Sequence, residues 1–229
     1  MKRMTNLREC VLLFVAVVGI CGVVRLVTGT HIAHAADNHA HAGAQIVAHG
    51  TPGGAIACAR CHGYDGTSDG SGAFPILAGQ SAYYLTGQLR NYASGTRQNA
   101  LMSSIAKGLT DDEIQSVAAY YAATRPTLAV TRQEPADLLS RGQYIATEGN
   151  LQNRVQACIS CHGPNGSGES PAIPYIGGQY RHYIEVQLKM FQRGYRKSPQ
   201  MGTVGHRLSD DEAAAVAAYF DQLPLPTTK

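Results

Sequence analysis

The sequence predicts an all-α protein: a tandem duplication of one small helical domain, preceded by an N-terminal hydrophobic helix. Three observations predict it. Sliding the 229-residue chain on itself aligns its second half with its first at an offset of 99 residues, or 100 around one loop insertion. Segments between glycine-rich turns carry apolar residues at helical spacing, and two of them open on S/T-x-x-E capping boxes. One five-residue stretch, C-x-x-C-H, occurs once per copy, as Cys58-Ala59-Arg60-Cys61-His62 and Cys158-Ile159-Ser160-Cys161-His162.

The chain starts with an export-like segment. Lys2, Arg3 and Arg8 precede an apolar run from Cys10 to Val24, and Ala33-His34-Ala35 offers an A-x-A cleavage site. Residues 1–35 therefore read as a signal peptide or a retained membrane anchor, with a possible tether through 10–27. Lys2, Arg3, Arg8 and Arg25 against Glu9 account for the whole net charge of +3. The remainder balances, which argues against a nucleic-acid partner. His31, His34, His39, His41 and His49 cluster early and read as solvated rather than as a metal tract.

Each repeat reads as helix, C-x-x-C-H, glycine-rich loop, helix, methionine loop, helix. The first helix is expected over Gly43–His49 and, in the second copy, Asp137–Glu148. Gly63 to Gly72 and Gly163 to Gly168 are loops by glycine and polar content. The middle helix places Tyr84, Leu85, Gln88, Leu89 and Tyr92 on one face, matched by Tyr180, Tyr183, Ile184, Leu188 and Phe191. The last helix opens at Thr110-Asp-Asp-Glu113 or Ser209-Asp-Asp-Glu212, where acids suit the helix N-terminal dipole. The expected domains are 36–126 and 136–229, joined by a polar, proline-closed linker over 127–135.

C-x-x-C-H is the attachment motif of c-type haem. Two thiols two residues apart reach one porphyrin edge and form thioethers, and the following histidine meets the iron. Cys58 and Cys61 would hold one haem and Cys158 and Cys161 a second, with His62 and His162 as proximal ligands. A thioredoxin-like motif would sit near a βαβ pattern, and a zinc site would leave both histidines unexplained. Beyond residue 35 the only methionines are Met102, Met190 and Met201. Met102 and Met201 recur at one repeat position and are the expected distal ligands; a soft thioether suits ferrous iron. Met190 aligns with Asn91 and reads as core filler. Pro75 and Pro174 are candidates to offer a carbonyl to the histidine's second ring N–H, or else simply stiffen the loop.

These residues together resemble the class I cytochromes c, and their doubling resembles the dihaem cytochrome c4 family, with cytochrome c-553 as a single-domain relative. The resemblance is carried by Cys-Ala-Arg-Cys-His-Gly at 58–63, Phe-Pro-Ile-Leu-Ala-Gly-Gln at 74–80, Met102 and Gly-Leu-Thr-Asp-Asp-Glu-Ile at 108–114. In the second half it is carried by Cys-Ile-Ser-Cys-His-Gly at 158–163, Pro-Tyr-Ile-Gly-Gly-Gln at 174–179, Met201 and Leu-Ser-Asp-Asp-Glu at 208–212. It implies two class I cytochrome c folds related by a pseudo-twofold, with haem edges facing across their interface. It also implies periplasmic electron transfer, with a quinol–cytochrome c reductase or a dehydrogenase as donor and a haem–copper terminal oxidase as acceptor. The protein would be soluble after signal cleavage or tethered to the inner membrane.

Two irons with both axial positions filled leave no site for substrate, so no catalytic residue is expected. The alternatives are a dihaem enzyme of peroxidase or thiosulfate-oxidising type, which needs an iron without methionine, and a fixed electron-transfer subunit of a membrane complex. Lys189, Arg193, Arg196, Lys197 and Arg207 form a candidate basic surface around Met201 for an acidic redox partner.

Overall fold

The computed structural model describes residues 39–125 and 133–226. The expected signal or anchor at 1–35, its tether stretch at 10–27 and most of the linker lie outside those residues. No helix among the described residues is long and apolar enough to cross a membrane.

Both repeats are helical, as expected, and follow one element order. The first contains α1 (39–49), α2 (Ala59–His62), α3 (Ala82–Ser94), α4 (Ala100–Lys107) and α5 (Asp111–Ala123). The second contains α6 (Ala136–Glu148), α7 (Ile159–His162), α8 (Arg181–Gln192), α9 (Pro199–Arg207) and α10 (Asp210–Asp221), plus a 3₁₀ turn at Pro164–Gly166 within a stretch expected as plain loop.

The outer helices of each repeat cross at a glycine. A Cβ on Gly43 would stand 2.1 Å from the Ser116 carbonyl oxygen of α5, and one on Gly142 2.0 Å from that of Ala215 on α10. Only hydrogen fits there, so the two backbones meet directly. Around the crossings lie separate cores. The first holds Val47, Leu85, Val117, Ala118 and Tyr121, with Cys58 packed against it. The second holds Ile145, Val155, Ile184, Leu188, Val216 and Phe220, with Cys158 and Met201 packed against it.

Both expected capping boxes are present. Thr110 accepts from the Glu113 N–H while Glu113 reaches back to the Thr110 N–H, and Ser209 and Glu212 do the same. The methionine segments correct the sequence reading, because both are helices rather than loops. Asn99 caps α4 by accepting from the Met102 N–H at 2.9 Å, and Ser198 caps α9 by accepting from the Met201 N–H at 3.3 Å. Methionine stands where a capping box has Glu or Gln, so the start signal in the sequence is only half present.

The repeats join through reciprocal contacts, the signature of the expected pseudo-twofold. The Ile76 N–H donates to Gln179 Oε1 at 3.0 Å, and Gln179 Nε2 donates to the Ile76 carbonyl at 2.9 Å. In mirror fashion Gln80 Nε2 donates to the Tyr175 carbonyl at 3.1 Å, and the Tyr175 N–H donates to Gln80 Oε1 at 3.3 Å. Ile76, Ala78 and Tyr180 form a small apolar cluster beside these clamps. The segments before α4 and α9 run antiparallel, with an isolated bridge between Arg97 and Arg196 and a Gln98 N–H to Tyr195 carbonyl bond of 3.0 Å.

Candidate functional site

Each C-x-x-C-H forms one short helical turn. Cys58 caps α2, and the His62 N–H donates to the Cys58 carbonyl at 3.0 Å; in α7 the His162 N–H donates to that of Cys158 at 2.9 Å. Winding the five residues into a turn puts the histidine at its end, buried at 7% exposure for His62 and 8% for His162. Glycine follows both, at a φ of 72°, and turns the chain into the loop that carries the proline.

That loop returns to the histidine. His62 Nδ1 lies 3.1 Å from the Pro75 carbonyl oxygen, and His162 Nδ1 lies 2.9 Å from that of Pro174. A carbonyl only accepts, so each Nδ1 carries the proton and each Nε2 keeps its lone pair for a metal. Burial lowers the pKa of both imidazoles, while the carbonyl bond partly opposes it. Neutral imidazole is the ligating form. Phe74 stands edge-on to His62, with ring centroids 6.1 Å apart.

Burial disfavours ionisation at the first cysteine of each motif. Burial pushes Cys58 and Cys158 up to about 11, and Cys58, Cys61, Cys158 and Cys161 are all free of disulfides. A structural zinc or a redox dithiol wants depressed thiolate pKa values. Among the described residues, no group of three His, Cys, Asp or Glu gathers as a metal site. Cysteines at this spacing, beside an imidazole with a free Nε2, fit a tetrapyrrole held by thioethers.

Met102 and Met201 lie half-buried in the first turns of α4 and α9, on elements separate from the histidines. The basic surface expected around Met201 loses one member. Arg193, Lys197 and Arg207 are exposed, but Arg196 is only 8% exposed and sits between the repeats. Its aliphatic stem and planar head pack inward because tyrosine and glutamine oxygens of the first repeat meet them there.

Sequence reasoning did not assign a role to that interior group. Arg97 donates to Gln88 Oε1 at 2.9 Å, to the Tyr183 hydroxyl at 2.8 Å and to Gln187 Oε1 at 2.6 Å. Arg196 donates to Gln187 Oε1 and Gln88 Oε1, both at 3.0 Å, and to the Tyr84 hydroxyl. The signal available was a pair of polar residues, Tyr84 with Gln88 and Tyr183 with Gln187, recurring on otherwise apolar helix faces.

Known proteins resemble this chain over most of its length. The sequence profile of the family described as cytochrome c matches residues 40–124 and 141–224. A protein of Stutzerimonas stutzeri described as a thiosulfate dehydrogenase electron acceptor is 38% identical, over 72% of this chain and 78% of its own. One of the same description from Thiomonas intermedia is 35% identical, over 76% of this chain and 82% of its own. Cytochrome c4 of Pseudomonas aeruginosa is 32% identical, over 85% and 92%. Among solved structures, thiosulfate dehydrogenase (TsdBA) of Marichromatium purpuratum superposes with a TM-score of 0.74 at 35% identity; the match covers 81% of this chain but 40% of that longer one. Reduced cytochrome c4 of Pseudomonas stutzeri superposes with a TM-score of 0.71 at 30% identity, covering 81% and 98%.

Proposed function

The chain belongs to the cytochrome c family, and from that premise we propose that it is a periplasmic carrier passing single electrons between respiratory proteins. Each of its two domains has one covalently bound haem c, whose iron supplies reversible one-electron chemistry. Cys58 and Cys61 attach the first and Cys158 and Cys161 the second. His62 and His162 are the proximal ligands, Met102 and Met201 the distal ones. Pro75 and Pro174 fix the ring orientation of the two histidines through their carbonyls and raise imidazole basicity. With both axial positions filled by the chain, neither centre offers a place for substrate, and no residue is catalytic.

The observation that carries this reading is the repeated buried imidazole, its Nδ1 held 3.1 and 2.9 Å from a proline carbonyl oxygen and its Nε2 left free. The tests are intact mass and spectroscopy. Two haem additions, a sulfur-to-iron band in the oxidised protein and no carbon monoxide adduct in the reduced protein at native pH are expected. Strong carbon monoxide binding would place an open iron in the chain and favour an enzyme.

Two relatives, at 38% and 35% identity, are described as thiosulfate dehydrogenase electron acceptors. They support a more specific reading, in which the donor is a thiosulfate-oxidising dehydrogenase and the acceptor a haem–copper terminal oxidase. This chain is then the carrier and not the dehydrogenase. Mixed with thiosulfate and such a dehydrogenase, the oxidised protein should be reduced in stopped flow. Mixed with thiosulfate alone it should stay oxidised; rapid reduction without the dehydrogenase would overturn the assignment.

A further inference from the structure

The same place in the two repeats has opposite relief. In the first, a cleft of about 450 Å³ opens beside the C-x-x-C-H turn, lined by Ala48, His49, Thr51, Ile56, Ala57 and Arg60. Much of its wall is apolar, and Ile56 is 40% exposed. In the second, the matching loop is one residue longer and carries a knob. Leu151 is 91% exposed, and Tyr144, on the outer side of α6, is 63% exposed. The first repeat has Pro52 and Gln45 at those two positions. The knob is held in place from below. Asn150 and Val155 exchange N–H to carbonyl bonds, both at 2.8 Å, and Asn150 Nδ2 donates to Glu212 Oε1 at 2.6 Å. An apolar side chain on so ordered a loop gives up little freedom on docking.

Charge follows the relief. Arg60 lines the cleft, where the second repeat has Ser160; Glu148 stands one turn from Tyr144 on α6, where the cleft has His49. Arg60 and Glu148 are exposed, and neither side chain makes a hydrogen bond or ion pair among the described residues. The hydrogen bonds and bridge that join the repeats run through residues 67–98 and 171–196 and use neither patch. Each patch is therefore left for another molecule.

We propose that the knob of one copy of this chain seats in the cleft of a second copy. Leu151 and the Tyr144 ring meet Ala48, Ile56 and Ala57, and Glu148 meets Arg60. The rim offers a second pair of charges. Thr51 Oγ1 donates to the Gly108 carbonyl at 2.8 Å, which ties the cleft to the segment leading into α5 and its exposed Asp112, while the knob loop carries exposed Arg154. A contact between two different patches adds copies head to tail in an open row rather than closing on a symmetric dimer. The patches are small, so the association is weak and transient. The knob loop ends three residues before Cys158, and the cleft wall includes the turn that bears Cys58 and Cys61. Docking thus sets the second attachment turn of one copy against the first of the next. Under the two-haem reading this puts redox centres of different copies side by side; the association itself does not depend on that reading.

The test is sedimentation velocity of the purified holoprotein from about 10 μM to about 1 mM, the range in which weak contacts form, with intact mass to count haems in every sample. The weight-average sedimentation coefficient of the unmodified protein should climb with concentration and pass that of a dimer. Arg60→Glu, Glu148→Arg and Leu151→Asp should each weaken association by about tenfold or more. An equimolar mixture of Arg60→Glu with Glu148→Arg should associate again, because each cleft then meets a knob of opposite charge. An unmodified protein that stays monomeric, variants that associate as it does, or a mixture no better than its components would each overturn the proposal. Association that stops at a dimer, survives Arg60→Glu and is lost in Leu151→Asp would set knob against knob and overturn it as well. Fewer than two haems in a protein that still associates would overturn the two-haem reading alone.

Discussion

Replacing Gln179 by methionine removes both arms of one inter-repeat clamp while keeping the side chain's length. Gln179 is 4% exposed, and its partner Ile76 is 1% exposed, so water does not replace what is lost. The Ile76 N–H loses an acceptor at 3.0 Å and its carbonyl loses a donor at 2.9 Å. A buried backbone group left without a partner costs about 1–3 kcal/mol. Two such groups give about 2–6 kcal/mol, a large part of the total stability of a domain this size. The assay is guanidinium unfolding of the holoprotein, followed by far-ultraviolet dichroism and by haem absorbance. The perturbation should also cross the interface. Ile76 follows Pro75, whose carbonyl holds His62, so a change in the second repeat should shift the reduction potential of the first haem more than that of the second. A loss below about 0.5 kcal/mol, or a shift confined to the second haem, would refute the reasoning.

Further outcomes follow from other parts of the fold. Gly43→Ala sets a Cβ 2.1 Å from a backbone oxygen, and should cost about 3 kcal/mol or more by strain, measured in the same unfolding assay. Thr110→Ala and Ser209→Ala remove the side-chain half of their capping boxes and should each cost about 1 kcal/mol. Both imidazoles have pKa values lowered chiefly by burial. With the iron removed from the attached porphyrins both rings are free to titrate; the unfolded chain then takes up protons near pH 6.5 while the folded chain does not, and stability should fall as pH drops below about 6.5, by up to about 1.4 kcal/mol per pH unit per histidine. Unfolding midpoints measured from pH 8 to 5 check that direction. Met102→Ala should abolish the sulfur-to-iron band of one haem, lower its potential and admit carbon monoxide in the reduced state, leaving the other haem's band in place.

Much of this was legible in the residues because it is local. C-x-x-C-H folds its ligands together within five positions, Thr110 and Ser209 announce helices that carry their acids three residues on, and an offset of 99 shows the duplication. The proline carbonyls were open as candidates, because a separation of 13 or 12 residues does not say whether a loop returns. The helices bearing Met102 and Met201 were hidden by caps that lack a Glu or Gln partner. The interface was hidden for a different reason. Arg97 and Arg196 are charged, and charge in a sequence reads as exposure. Part of what lets them be buried comes from the other repeat, at residues about 90 to 110 positions away. Arg196 was placed on an outer surface by that same inference.

The reciprocal clamps have an evolutionary reading. Each half offers the other the same kind of patch, glutamine against backbone and arginine against tyrosine, as the subunits of a symmetric homodimer do. A single ancestral domain with these residues could have self-associated before the gene was joined end to end. Once fused, the halves no longer had to remain identical. Tyr121 gives its hydroxyl to the Gly63 carbonyl at 3.0 Å where the matching Phe220 has none, and Tyr175 reaches the Ala78 carbonyl at 2.8 Å where the matching Ile76 reaches nothing. Fusion thus turned one self-complementary surface into a pair free to drift apart, which lets two equivalent redox centres become a donor and an acceptor for each other.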